Sequence, residues 1–192
     1  MEEFYTRFYG DDHPRVFLIG INPGRFGGGV TGIPFTDPVN LAGPCGIENS
    51  FPAKHELSSR FIYDMIGKMG GPEAFFNRFF LTALSPLGFV SEGKNRNYYD
   101  TPALWETLKP WIVKSFQQQI RLGADRETAF SLGQGKNFRL LSELNREFGF
   151  FNEIIPLPHP RWIMQYKLKR KDDFLNLYKD KLNRAAPPVV SR

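Results

Sequence analysis

The sequence predicts a three-layer α/β/α domain built on a central four-stranded, mostly parallel sheet. Short apolar runs without polar alternation recur at 16–21, 77–84, 128–132 and 151–157, the pattern of strands covered on both faces. Helical spacing of apolar residues fills the stretches between them, so strand and helix alternate along the chain. The 192 residues, 41% hydrophobic and 23% charged, suit one domain with a full core and no internal repeat or linker. Aromatics reach 15% with 19 Phe, which points mainly to a Phe-packed core and, for the remainder, to stacking surfaces.

Residues 4–15 read as a polar, aromatic-rich lead-in with a surface turn at His13-Pro14. The first strand, 16–21, breaks at Gly20-Ile21-Asn22-Pro23-Gly24, and a glycine loop follows to Gly32. Thr36-Asp37-Pro38 reads as a turn, and 40–52 as a loop rich in Gly, Pro and Asn. Leu57, Phe61, Ile62, Met65 and Ile66 mark a helix ended by Gly70-Gly71-Pro72. The second strand, 77–84, stops at Ser85-Pro86-Leu87-Gly88, and 91–100 reads as a loop carrying Asn95, Arg96 and Asn97. Thr101-Pro102 caps a helix to Leu122 that Pro110 is expected to kink or restart. The strand at 128–132 leads to Gly133-Gln134-Gly135 and an amphipathic helix over 136–148. The strand at 151–157 ends at Pro158-His159-Pro160-Arg161, a last helix covers 172–182, and 185–192 is expected to be a disordered tail.

Composition excludes several classes. The net charge of +5 suits a polyanion partner. The single cysteine, Cys45, rules out a disulfide framework, a four-cysteine cluster and a Cys-based zinc site, and is read as structural. Three scattered histidines imply no metal site. No apolar run approaches the roughly 20 residues of a membrane span, and Met1-Glu2-Glu3 does not open a signal peptide. The expectation is a cytoplasmic monomer, nucleoid-associated if bacterial, without cofactor or metal.

The glycine loop leaves the carboxyl end of the first strand, where open α/β sheets place ligands. Gly24, Gly27, Gly28, Gly29 and Gly32 are read as letting backbone N–H groups approach that ligand. The loop fits neither a Walker A string nor GxGxxG straight after the strand, and Gly133-Gln134-Gly135-Lys136-Asn137 lacks the Ser/Thr of a phosphate loop.

These residues resemble a known family. Gly20-Ile21-Asn22-Pro23-Gly24-Arg25-Phe26-Gly27, then Thr31-Gly32-Ile33-Pro34-Phe35, is similar to the first motif of one branch of the uracil-DNA glycosylase superfamily. That branch is the single-strand-selective monofunctional one, and its motif reads Gly-Met-Asn-Pro-Gly-Pro-Phe-Gly, then Thr-Gly-Val-Pro-Phe. His55-Glu56-Leu57-Ser58-Ser59-Arg60-Phe61 resembles the helix start that follows it in the family, and Phe80-Leu81-Thr82-Ala83-Leu84-Ser85-Pro86-Leu87 the middle strand motif. Pro158-His159-Pro160-Arg161 resembles the second catalytic motif, His-Pro-Ser-Pro-Arg. The resemblance spans about 16–182; its first motif is specific, and the others gain weight from their order and spacing.

The resemblance implies a monofunctional glycosylase of base excision repair, which flips a damaged base out of DNA and hydrolyses its bond to the sugar. Asn22 then positions the attacking water. An amide cannot remove a proton at neutral pH, so bond breakage must run ahead of water addition. The departing base anion needs a donor, and His159 is the candidate. Phe35 stacks on the flipped base, and Ile21, Pro23, Gly24, Phe26, Gly32, Thr82 and Ala83 complete the pocket, with Ser85 touching DNA. No lysine stands in the motifs to form a Schiff base, so strand cleavage is not expected.

The chain departs from the family pattern twice. Aligning Pro160-Arg161 with the family's Pro-Arg puts its His at Leu157 and its Ser at His159, whereas aligning histidines costs two residues downstream. Ala83 stands where many members carry an Asn that reads the uracil edge, which predicts broader choice among deaminated bases, xanthine included. After His159, the resemblance makes Trp162, Ile163 and Met164 wedges into the duplex, and Arg161, Lys167, Lys169, Arg170 and Lys171 phosphate contacts. Two other readings stay open from the residues: a non-catalytic nucleic-acid-binding module, and a small-molecule or nucleotide enzyme on the same fold.

Overall fold

The structure is a computed structural model that describes residues 1–185; residues 186–192, most of the expected tail, lie outside the described part. Four strands, β1 (Arg15–Gly20), β2 (Phe79–Ala83), β5 (Ala124–Leu132) and β6 (Glu153–Leu157), form a sheet in the order β2-β1-β5-β6. Every pairing in it is parallel. Beside the sheet, β3 (Phe89–Ser91) and β4 (Lys94–Arg96) make a small antiparallel hairpin. From β1 the chain goes to β2 on one side and then crosses to β5 on the other. The carboxyl end of β1 is therefore a switch point of the kind where such sheets bind ligands.

Burial on β1 explains its unbroken apolar run. Val16 and Leu18 belong to one core cluster and Phe17 and Ile19 to the other, all at most 1% exposed. The first cluster is closed by α1 (Glu2–Tyr9), α4 (Leu57–Lys68), α5 (Gly71–Phe76), α8 (Pro160–Tyr166) and α9 (Lys171–Ala185). The second is closed by α6 (Pro102–Arg121) and α7 (Lys136–Phe148). Phenylalanine is prominent in both, as its abundance implied, with leucine equally frequent in the first.

Five segments differ from expectation. The lead-in is α1: Phe4 and Phe8, one helical turn apart, both pack their rings near Phe76, at 5.1 and 4.9 Å between centroids. The glycine loop contains a short helix, α2 (Gly28–Thr31), and the expected Thr36-Asp37-Pro38 turn opens another, α3 (Pro38–Ala42), with Asp37 as its N-cap. The expected loop at 91–100 begins in the β3–β4 hairpin, whose tip residues Glu92 and Gly93 take φ of 51° and 69°. Finally, α6 runs unbroken through Pro110. No described helix is long and apolar enough to cross a membrane.

Candidate active site

A cavity of about 310 Å³, at the small end for ligand pockets, opens at the carboxyl end of β1. Segments that follow three different strands wall it: Ile21 to Gly24 after β1, Ala83 at the end of β2, and His159 after β6.

Asn22 reaches it directly past the strand. Its Nδ2 donates to the carbonyl of Arg96 at 3.2 Å and to that of Pro23 at 3.5 Å, so the hairpin holds the amide's orientation. Its Oδ1 is buried and has no hydrogen-bond partner among the described residues. A buried acceptor left unmatched costs about 1–3 kcal/mol, and a bound water is its natural complement.

Phe35 sits in the left-handed region at φ 57°, rare for a bulky residue. Its ring lies across Gly20: a Cβ there would fall 2.5 Å from the ring. Gly20 is thus a space requirement set by Phe35. The turn that presents Phe35 is tied down from below. Thr31 Oγ1 donates to the Thr36 carbonyl at 2.7 Å, and Asp37 accepts from the backbone N–H groups of Asn40 and Glu56, both at 2.8 Å.

His159 is the N-cap of α8, its Nδ1 accepting from the Arg161 N–H at 3.1 Å. That bond leaves the imidazole proton on Nε2. Burial, reinforced by the Arg161 guanidinium, pushes its pKa down to about 4, so the ring is a neutral donor at pH 7. Of the two second-motif positions, His159 lines the cavity, while Leu157 is buried at 1% exposure.

Glu56 was not foreseen as a site residue. Its carboxylate occupies the space where Gly24 and Gly27 would carry side chains; a Cβ at either would lie 2.1 or 1.9 Å from its oxygens. These two glycines make room for an acid, and Gly24 lines the cavity as well. Burial raises the Glu56 pKa and Asp37 adds to this, against the opposing Arg161.

Of the residues expected in the pocket, Ile21, Pro23, Gly24, Phe35 and Ala83 line it, as do Arg161 and Trp162. Others do not. Phe26 is 41% exposed outside it, with the Arg25 guanidinium 4.4 Å from its ring. Gly32 ends α2 at φ 74°, against the Met1 side chain. Thr82 alternates with Ala83 along β2 and bonds to Gln119 of α6 on the far side. Ser85 is fully buried and donates to the Leu87 carbonyl at 3.0 Å, which removes it from any DNA surface.

The expected wedge changes as well. Ile163 and Met164 are core residues at 0% and 7% exposure, because one face of α8 packs on α4. Trp162, Tyr166 and Leu168 are the exposed apolar side chains there, at 40%, 69% and 57%. Lys167 stands 5.6 Å over the Trp162 ring, and Lys169 is exposed. Arg170 pairs with Asp173 at 2.9 Å, and Lys171 is turned toward Asp64 of α4, also at 2.9 Å. Asn95, Asn97, Gln165 and Tyr166 also line the cavity and were not singled out as pocket residues from the sequence.

The family model described as the uracil DNA glycosylase superfamily matches residues 8–183. Among curated proteins, none matches the sequence. Among solved structures, wild-type SMUG2 of Pedobacter heparinus superposes with a TM-score of 0.90 at 42% identity. The match covers 96% of this chain and 82% of that one. With the motifs in order along the chain and Asn22, Phe35 and His159 gathered on one cavity, the chain belongs to the uracil-DNA glycosylase superfamily.

Proposed function

We propose that this protein is a monofunctional DNA glycosylase that takes uracil from DNA into the cavity and hydrolyses its N-glycosidic bond. The observation that carries the reading is the buried, unmatched Oδ1 of Asn22 on a cavity shared with a neutral imidazole and an aromatic ring. The ring of Phe35 stacks on the flipped base. The C1′–N bond lengthens first, and charge grows on the base as it departs. The Nε2–H of His159 meets that charge, and Asn22 Oδ1 holds water against the cationic sugar. A neutral donor suits this role, since it stabilises the base anion without needing protonation at pH 7. No described residue lining the cavity is a lysine, which supports hydrolysis without strand cleavage.

Ala83, buried at the end of β2, offers the base edge a methyl group. A pocket without a polar reader there discriminates weakly, so xanthine and other deaminated bases enter the proposed range. Oligonucleotides bearing one uracil, hypoxanthine or xanthine, single- and double-stranded, test this when alkali cuts each abasic site formed. Uracil excision with no trace on xanthine counts against the broad range, and no product on any base counts against the glycosylase reading.

The exposed basic residues beside Trp162 supply the proposed phosphate contacts. Lys169→Glu with Arg170→Glu is expected to weaken binding to DNA of any sequence roughly tenfold and to lower the salt slope by about 2. Titration at several salt concentrations checks it, and an unchanged slope removes these side chains from the interface.

His159 also sets a pH dependence of stability. Its folded pKa lies below the ordinary value of 6.5, so between about 4 and 6.5 the unfolded chain binds the extra proton. Its contribution is therefore fully present above pH 6.5 and is lost as pH falls toward 4, at up to about 1.4 kcal/mol per pH unit. Melting curves of wild type and His159→Asn across this window should show a shallower slope in the variant.

A further inference from the structure

Asn22 can hold water but cannot take its proton, so a hydrolytic site here lacks a base among the residues the family pattern supplies. Glu56 supplies the one carboxyl group among the described residues that line the cavity. It lines the same cavity as Asn22 and His159, and its carboxylate lies against Gly24, two residues from Asn22. Its own backbone N–H is held by Asp37 at 2.8 Å, at the start of α4. Gly24 and Gly27 are both vacated for it, so its position is built rather than incidental. We propose that Glu56 is a further catalytic residue, the acceptor of the proton from the water that Asn22 orients.

This rests on the glycosylase reading above. The C1′–N bond breaks with its electron pair leaving on the base. A lone pair of the water oxygen forms the C1′–O bond, and the water proton passes to a Glu56 oxygen. Glu56 then releases the proton to solvent, from which the base anion is protonated. No other reactant is needed. The carboxylate also lies near the cationic sugar while that charge exists.

The charged groups around Glu56 come from several elements. Arg161 of α8 lowers its pKa, and Asp37 ahead of α3 raises it. His55, whose Nδ1 is 3.5 Å from Asp37, and Arg25 and Lys94 share the adjoining cleft with it, while His159 lines the same cavity. Burial outweighs them and strengthens the carboxylate as a base.

The test is single-turnover excision from uracil DNA across pH 4–9 by wild type and Glu56→Gln. Melting temperature and affinity for abasic-site DNA are measured beside it. Wild type should show an acid limb above the ordinary glutamate range. Glu56→Gln should lose about 10²-fold or more in rate together with that limb, while its melting temperature and DNA affinity stay near wild type. If the amide unfolds the loop, Glu56→Asp serves, with a lower rate but the limb retained. A Glu56→Gln rate and limb equal to wild type's overturn the proposal. So does a loss matched by equal falls in melting temperature and affinity, which marks Glu56 as a prop for the glycine loop. An inactive wild type instead withdraws the glycosylase reading itself, so the two failures are distinct.

Discussion

Asn22→Ala is expected to lower uracil excision about 10²–10³-fold while leaving DNA binding and melting temperature nearly unchanged. The side chain's Oδ1 has no protein partner among the described residues, so its removal breaks nothing that holds the fold. The bonds from Nδ2 to Arg96 and Pro23 carbonyls are long and part-exposed, and water can replace them. What disappears is the fixed acceptor for the nucleophile. Asn22→Asp makes a sharper comparison. It keeps the oxygen and the size but loses the donor to the hairpin carbonyl, setting a carboxylate against the Arg96 oxygen. Its expected rate lies between those of wild type and alanine. Single-turnover assays with saturating enzyme separate the chemical step from binding. A fully active Asn22→Ala would remove the water-holding role and with it the central step of the proposal.

The parts of this site that were legible in the sequence are those fixed by chain direction. A strand that ends in Gly20-Ile21-Asn22 delivers Asn22 to the sheet's carboxyl edge whatever else happens, and the same holds for His159 after β6. What was hidden depends on which way a side chain turns once elements pack. Thr82 and Ala83 are neighbours, but pleating sends one to α6 and the other to the cavity. Trp162, Ile163 and Met164 are consecutive, yet a helix facing α4 buries two and exposes the first. Glu56 was least legible, since its meaning lies in two glycines about thirty positions earlier whose missing side chains it replaces. No local pattern encodes that pairing. The first helix could have been found, because Phe4 and Phe8 already stand one turn apart.

His159→Ala is expected to cost about 10²–10³-fold in excision of uracil, for a different reason from Asn22. The lost group is a donor to the leaving base, so the penalty should track how badly that base needs help. A 5-fluorouracil substrate leaves as a more stable anion, because fluorine withdraws charge from the ring. His159→Ala should therefore lose much less on 5-fluorouracil than on uracil, whereas Asn22→Ala should lose the same factor on both, since water meets the same sugar. Alanine also removes the N-cap of α8, about 1 kcal/mol of stability that has nothing to do with the base. His159→Asn isolates the catalytic part: its side chain can restore the cap to the Arg161 N–H but is too short to reach the base as the imidazole does. Its melting temperature at pH 7 should match wild type while its rate on uracil matches alanine's. Equal penalties on the two bases would refute donation to the leaving group and return His159 to the status of a helix cap.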